Sequence, residues 1–346
     1  MYKERFDYID FAKGFAIFSI VLFHYCQPYT SGIWSKAIMI GGSGAHLFFV
    51  LSGFGLRLSA TVDASTFYKK RFVKILLPYY LVVLTIYIIN TMYPIYEGNG
   101  LYALFGHLLL YKMFDESIMT SFGYHFWFLS TIIQFYIAFP LIILLQQKVN
   151  TVSFIGITLL ISILYWLTIT YFNLTDLRIY NSFFLQYLWE FSAGMVLVKY
   201  YKDKNILFWE QKNIVLFSVA ILGISTMAIM ALKGGSIGKV FNDIPASIGY
   251  LSLSALLFSI SKEYIHPIKD FFIRVGKLSY ELYLIHMLIF VLMNNIFEIL
   301  TGDTSNIFIG LFVILPLSII LSTFTHRLFS SILRGTQQIN NKNIRA

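Results

Sequence analysis

The sequence has one cysteine, Cys26, among its 346 residues. That excludes a disulfide framework and any cluster of thiolate metal ligands, and no metal site is expected. Charge is also scarce. Asp, Glu, Lys and Arg make up 12 %, against 58 % hydrophobic residues and a mean hydropathy of +0.71. Soluble domains carry about 25 % charge, so a water-soluble globular enzyme is excluded. A disordered chain, which needs few apolar residues and many charges, is excluded as well. No repeat of 20–50 residues is visible, which rules out a solenoid. No phosphate-binding GxxxxGK[ST] and no dinucleotide-binding GxGxxG occurs. No loop or tail is long enough for a soluble domain, so residues 1–346 read as a single transmembrane domain.

What remains is apolar sequence in long runs. Ten segments read as membrane spans, approximately 8–28, 37–58, 73–93, 124–146, 152–172, 182–200, 213–232, 244–261, 278–298 and 307–328. Each is long enough to cross a hydrocarbon core of about 30 Å as a helix. The expected fold is therefore an all-α, polytopic membrane bundle of about ten helices. Leu101–Phe114 is apolar but short, and reads as interfacial or re-entrant. The first segment is not a cleavable signal, because Asp10 and Lys13 interrupt it and no small-residue cleavage site follows His24.

Basic residues set the expected orientation. Nineteen of the 26 Lys and Arg fall at the termini and in the even-numbered loops, five in the odd-numbered loops, and Lys13 and Arg57 within spans. The bias puts both termini in the cytoplasm. The net charge of +9 is thus a topology signal, and no nucleic-acid partner is expected.

Ionisable groups within spans are costly and point to function. Lys13 and His24 lie eleven residues apart on the first span. Eleven helical steps place them on one face, about 16 Å apart along the axis. Asp10, one turn before Lys13, can pair with it. The second span carries His46, Ser52, Gly53 and, at its end, Arg57, read as packing or tunnel-lining positions closed by a cation. Lys69-Lys70-Arg71-Phe72-Val73-Lys74 follows. Four cations in six residues suit a polyphosphate as well as an inner-loop topology signal. His125 and Trp127 open the fourth span, Glu190 lies in the sixth, and Glu281 and His286 in the ninth.

Together these residues resemble the acyltransferase 3 family of integral membrane acyltransferases. Asp10-Phe11-Ala12-Lys13-Gly14 running on to His24 resembles the family's basic-x10-His element. His46-Leu47-Phe48-Phe49-Val50-Leu51-Ser52-Gly53-Phe54 is similar to its FFVLSGF stretch. Lys70-Arg71-Phe72-Val73-Lys74 leading to Pro78-Tyr79-Tyr80 is similar to RRxxRIxPxYW. His125-Phe126-Trp127-Phe128-Leu129 with Gln134-Phe135-Tyr136 resembles HLWFLxxxxQFY, and Gly276 through Ser279-Tyr280 to Tyr283 and His286 resembles GxxSYxxYLxH. Five motifs in family order span nearly the whole chain. Lys13 and Lys74 stand where arginine is commoner, and Ser130 is followed by Thr131-Ile132-Ile133 where many members carry a glutamate.

The resemblance implies an O-acyltransferase of the plasma membrane. Its donor would be cytoplasmic acyl-CoA, most often acetyl-CoA, and its acceptor a hydroxyl of a cell-surface or lipid-linked glycan. It implies no tightly bound cofactor, and partners limited to these substrates and the surrounding lipid. His24 takes the place of the catalytic base, with Lys13 and Asp10 beside it. An imidazole with an ordinary pKa of about 6.5 suits that task, and a transient acyl-histidine is the variant. Arg57, Lys69, Lys70, Arg71 and Lys74 would bind the coenzyme A phosphates. His125, Trp127, Glu190 and His286 would lie on the acceptor side. The competing class is a polytopic transporter or glycan exporter, which would also use mid-membrane His and Glu.

Overall fold

The computed structural model describes residues 2–59, 64–96, 100–202 and 212–343. All secondary structure among them is helical, as lipid demands of any chain that does not close into a barrel. In order these are α1 (Tyr2–Cys26), α2 (Gly32–Met39), α3 (Gly44–Leu58), α4 (Ala64–Met92), α5 (Leu101–Leu108), α6 (Trp127–Lys148), α7 (Thr151–Tyr171), α8 (Arg178–Asn181), α9 (Leu188–Lys202), α10 (Asn213–Phe241), α11 (Asp243–Glu263), α12 (His266–Lys277), α13 (Ser279–Thr301), α14 (Ile307–Ile309) and α15 (Leu315–Asn343). A π-helical turn, Gly310–Ile314, joins the last two.

Nine helical stretches among the described residues are long and apolar enough to cross a membrane. They correspond to nine of the ten expected spans. The exception is 182–200, where α9 offers 15 described residues. At 1.5 Å per residue this is about 22 Å, less than a hydrocarbon core of about 30 Å. The chain ahead of α9 is tied into the bundle by α6. Thr131 Oγ1 donates to the Ser182 carbonyl at 2.5 Å, and Gln134 Oε1 accepts from the Phe184 amide at 3.0 Å. These polar anchors hold 182–187 as turns, where composition alone reads continuous helix.

Two glycine crossings set the frame around α1 and α3. Gly14 on α1 and Gly276 on α12 face each other so closely that a Cβ on either would overlap the other helix's backbone, at Phe272 O and Asp10 O respectively. Gly53 on α3 and Gly194 on α9 repeat the arrangement, against Phe191 O and Val50 O. Small residues permit such approach in membranes, where helices associate by packing. Around the first crossing, Phe11 and Phe18 of α1 meet Phe272 edge-on at 5.2 and 5.6 Å. The charged sequence of α12, which reads as an inner loop, is in fact an amphipathic helix that buries Ile273, Val275 and Gly276.

The short apolar stretch Leu101–Phe114 forms α5 and a 3-10 turn over Tyr111–Phe114. His107 is fully buried between Tyr79 Oη at 2.6 Å and Ser121 Oγ at 2.8 Å. Lys112 is buried too, its Nζ donating to the Met119 carbonyl at 2.8 Å. Burial, and then the nearby Arg178 guanidinium, push the Lys112 amine down to about 7. Glu116, four residues after Lys112, accepts from the amides of Arg178 and Ile179, both at 2.8 Å. The α5–α6 connection is thereby fastened to the start of α8.

Candidate functional site

α1 runs without a break from before Lys13 to past His24, so both residues keep the common face that their spacing dictates. Lys13 Nζ lies 3.8 Å from Asp10 Oδ1, a partly exposed i,i+3 pair. Lys277 is within electrostatic range of Asp10, and Lys74 of Lys13. The Lys13 end of α1 therefore sits in a cationic neighbourhood built from α1, α4 and α12.

At the other end of α1, the partly exposed His24 ring faces His286 of α13, with centroids 5.4 Å apart. His286 in turn meets His125, just ahead of α6, at 4.8 Å. Three imidazoles from three distant parts of the sequence thus form a chain. His286 Nδ1 lies 3.0 and 2.9 Å from the carbonyls of Leu282 and Tyr283. Both are acceptors, so the ring proton belongs on Nδ1. Nε2 is left as a buried acceptor with no protein partner. His125 is 3 % exposed; the Leu284 backbone lies close to its ring, but neither ring nitrogen makes a well-formed hydrogen bond. An unpaired buried polar group costs roughly 1–3 kcal/mol. A site that keeps three such nitrogens together is fitted to a hydroxylic ligand or a moving proton.

The neighbouring residues hold the rings in place. Tyr283 Oη donates to the His125 carbonyl at 3.0 Å and accepts from the Leu129 amide at 3.2 Å. Tyr25 Oη donates to the His286 carbonyl at 2.9 Å. Gly123 has φ +133°, and a Cβ there would press on the His125 ring at 2.7 Å. Glycine is needed at that position on both counts.

Trp127 and Glu190 lie in a second polar group, away from the imidazole chain. Trp127 carries the Arg178 guanidinium on its face, 4.0 Å from the ring centroid. It also packs near Tyr187, at 6.0 Å. Glu190 Oε1 is 2.8 Å from His46 Nδ1, and His46 lies 5.9 Å from Tyr187. The four residues grouped on the acceptor side by the sequence are therefore divided, with His125 and His286 on His24, and Trp127 and Glu190 on His46. Residues 125 and 127, two apart at a helix entry, face different ways. Asp243, Gln186 and Arg178 complete the second group and escaped the sequence reading. Asp243 stands at the first residue of an apolar helix, where an acidic residue reads as an ordinary span boundary.

The phosphate-binding candidates are spread along one end of the bundle. Arg71 donates to Ser59 Oγ at the end of α3. Arg57 Nε donates to Gln146 Oε1 at 2.7 Å. Arg57 also borders a cavity of about 930 Å³ with Asn150, Ser153, Lys199 and Tyr200. None of the three clustered histidines lines that cavity. Lys69 and Lys74 are exposed, whereas the side chain of Lys70 lies outside the described residues. Ser52 is partly buried, and Gly53 serves the α3–α9 crossing.

Comparison with known proteins adds one positive finding. The family model described as an acyltransferase domain matches residues 6–323. No curated protein and no solved structure matches. The match runs from within α1 to the first turns of α15, takes in every histidine of the imidazole chain, and covers far more than half of the sequence. The protein belongs to the acyltransferase 3 family, and so to the membrane acyltransferases.

Proposed function

We propose that this protein is an O-acyltransferase of the plasma membrane. It moves an acyl group, acetyl in the first instance, from cytoplasmic acyl-CoA to a hydroxyl of a cell-surface or lipid-linked glycan. The observation that carries the reading is the convergence of His24, His286 and His125, the last two with buried nitrogens short of partners, inside a multi-pass helical domain of this family. His24 is the general base. It takes the proton of the acceptor hydroxyl as the oxygen attacks the thioester carbonyl. The new C–O bond forms, the C–S bond breaks, and the coenzyme A thiolate leaves and is protonated. His286, its proton fixed on Nδ1, offers Nε2 to the acceptor or to the proton in transit. His125 extends that path.

The donor is assigned to the other end of α1. Coenzyme A is polyanionic and stays out of lipid, while its pantetheine arm is thin enough to enter between helices. Arg57, Lys69, Lys70, Arg71 and Lys74 are the cations proposed to hold the phosphates, on the cytoplasmic side together with both termini. Lys13, braced by Asp10, stands about 16 Å along α1 from His24 and is proposed to meet the anionic donor and steer it toward the imidazoles, away from the reacting carbonyl itself. Trp127 and Glu190 would border the acceptor's approach, and His46, Ser52 and Gly53 shape the helix wall beside it.

Two experiments address the two substrates. Mass spectrometry of surface polysaccharide from cells lacking this protein is expected to show the loss of one acyl group per modified residue, acetyl in the first instance. An unchanged glycan mass spectrum contradicts the acceptor class. In the purified enzyme, Arg71→Ala is expected to raise the donor KM about tenfold with a smaller fall in kcat. This is the signature of lost uniform binding, and an unchanged donor KM removes the phosphate role.

A further inference from the structure

The second polar group borders the proposed acceptor path, and its ionisable members take no part in the acyl-transfer step itself. His46 on α3, Glu190 on α9 and Asp243 at the start of α11 bring one nitrogen and two carboxylate oxygens within 4.8 Å of one another. His46 Nδ1 stands 2.8 Å from Glu190 Oε1 and 3.9 Å from Asp243 Oδ1. Glu190 is 0 % and Asp243 2 % exposed. Among the described residues no lysine or arginine pairs with either carboxylate. Two buried carboxylates thus face a single imidazole, an arrangement that costs several kcal/mol per ion unless the charge is met.

The hydrogen bonding is incomplete in the same place. Gln186, 2 % exposed, donates from Nε2 to Asp243 Oδ2 at 2.7 Å and to the Val240 carbonyl at 2.8 Å. Those two acceptors fix the orientation of its amide, and Gln186 Oε1 is left buried with no partner. Glu190 Oε2 is unpaired as well. Protonating the carboxylates removes the charge but leaves Glu190 Oε2 nothing to donate to, and does nothing for Gln186 Oε1. A cation among His46, Glu190 and Asp243 would balance both carboxylates and give the free Glu190 oxygen a partner.

We propose that His46, Glu190 and Asp243 bind a divalent transition-metal ion of the zinc or manganese class. The imidazole favours zinc and the two carboxylates also suit manganese, whereas calcium and magnesium favour oxygen alone. Ligands about 2.1 Å from a tetrahedral zinc lie about 3.4 Å apart, and the two His46 distances bracket that separation. The ion balances both carboxylates and ties together α3, α9 and α11. Tyr187, stacked on Phe49 at 4.2 Å, stands between this group and the fourth span. The role is structural, and the site is separate from the imidazole chain.

The test is the metal content of purified protein, measured by inductively coupled plasma mass spectrometry. Wild-type, His46→Ala and Asp243→Asn proteins are dialysed against Zn²⁺ or Mn²⁺ and then against metal-free buffer. Wild type is expected to retain one ion per chain. Both variants are expected to retain at least tenfold less. Asp243→Asn keeps the shape of the side chain and guards against a folding defect in His46→Ala. Chelator-stripped wild type is further expected to melt at a lower temperature and to recover on adding Zn²⁺. A wild type that retains no more metal than Asp243→Asn overturns the proposal, as does a melting temperature indifferent to chelation and Zn²⁺.

Discussion

Replacement of His24 by alanine is expected to abolish measurable acyl transfer, with a rate at least about 10²–10⁴ below wild type, the range ascribed to a positioned general base. The fold is expected to survive. His24 is partly exposed at the end of α1, and its ring packs on Phe23 and His286. The buried anchors of the region belong to other residues. Tyr25 Oη bonds the His286 carbonyl and Ser318, and Tyr283 clamps the start of α6. Truncation at His24 therefore removes an imidazole from the lane without cutting those bonds. The check is steady-state transfer by purified His24→Ala, run beside a melting curve and a donor-binding measurement. Transfer at the wild-type rate by a folded variant would take the base assignment away from His24.

The second large effect is on assembly. Gly276→Ala adds one methyl group, yet at this crossing the new Cβ would overlap the Asp10 carbonyl and lie 3.0 Å from the Gly14 amide nitrogen. Those atoms are backbone of α1 and cannot swing aside as a side chain would. Separation of α1 from α12 would also undo the contacts of Phe272 with Phe11 and Phe18. A cost of roughly 3 kcal/mol, at the top of the usual overpacking range, is a large share of a stability of about 5–15 kcal/mol. Gly156→Ala on α7 is the control, because nothing lies within 4 Å of its added Cβ. Detergent-solubilised Gly276→Ala is expected to lose most of its monodisperse peak in size-exclusion chromatography, and Gly156→Ala to keep it. Equal recovery of the two would mean that the α1–α12 crossing is looser than described.

Much of the architecture could be read from the residues. Apolar runs located the nine helical stretches, among the described residues, that are long and apolar enough to cross a membrane, because the length of a helix in lipid is set by the bilayer. The eleven-residue interval between Lys13 and His24 was legible because helix geometry is local. The segment 182–200 was not legible as a short helix. What ends its regularity is Thr131 and Gln134, some fifty residues earlier. α12 stayed hidden for the opposite reason, since its charges read as a loop until its apolar face meets α1. In the site, each histidine could be singled out for the cost of burying it. Which ones meet is a tertiary fact. His125 and His286 lie 161 residues apart in sequence and join His24, while Glu190 goes to His46 and to Asp243. Lys112 and His107 were passed over because an apolar segment of 14 residues shows no sign that its polar members face inward.

Catalysis of acyl transfer through the imidazole lane at the end of α1 is what we propose for this membrane domain. The most direct measurement follows radiolabel from acetyl-CoA, using purified protein in lipid nanodiscs supplied with lipid-linked glycan. Label is expected to leave the thioester and appear on the glycan as an ester with wild-type protein, and to stay on coenzyme A with His24→Ala. Label that remains on coenzyme A with wild type, or moves equally well without the imidazole, would contradict the account.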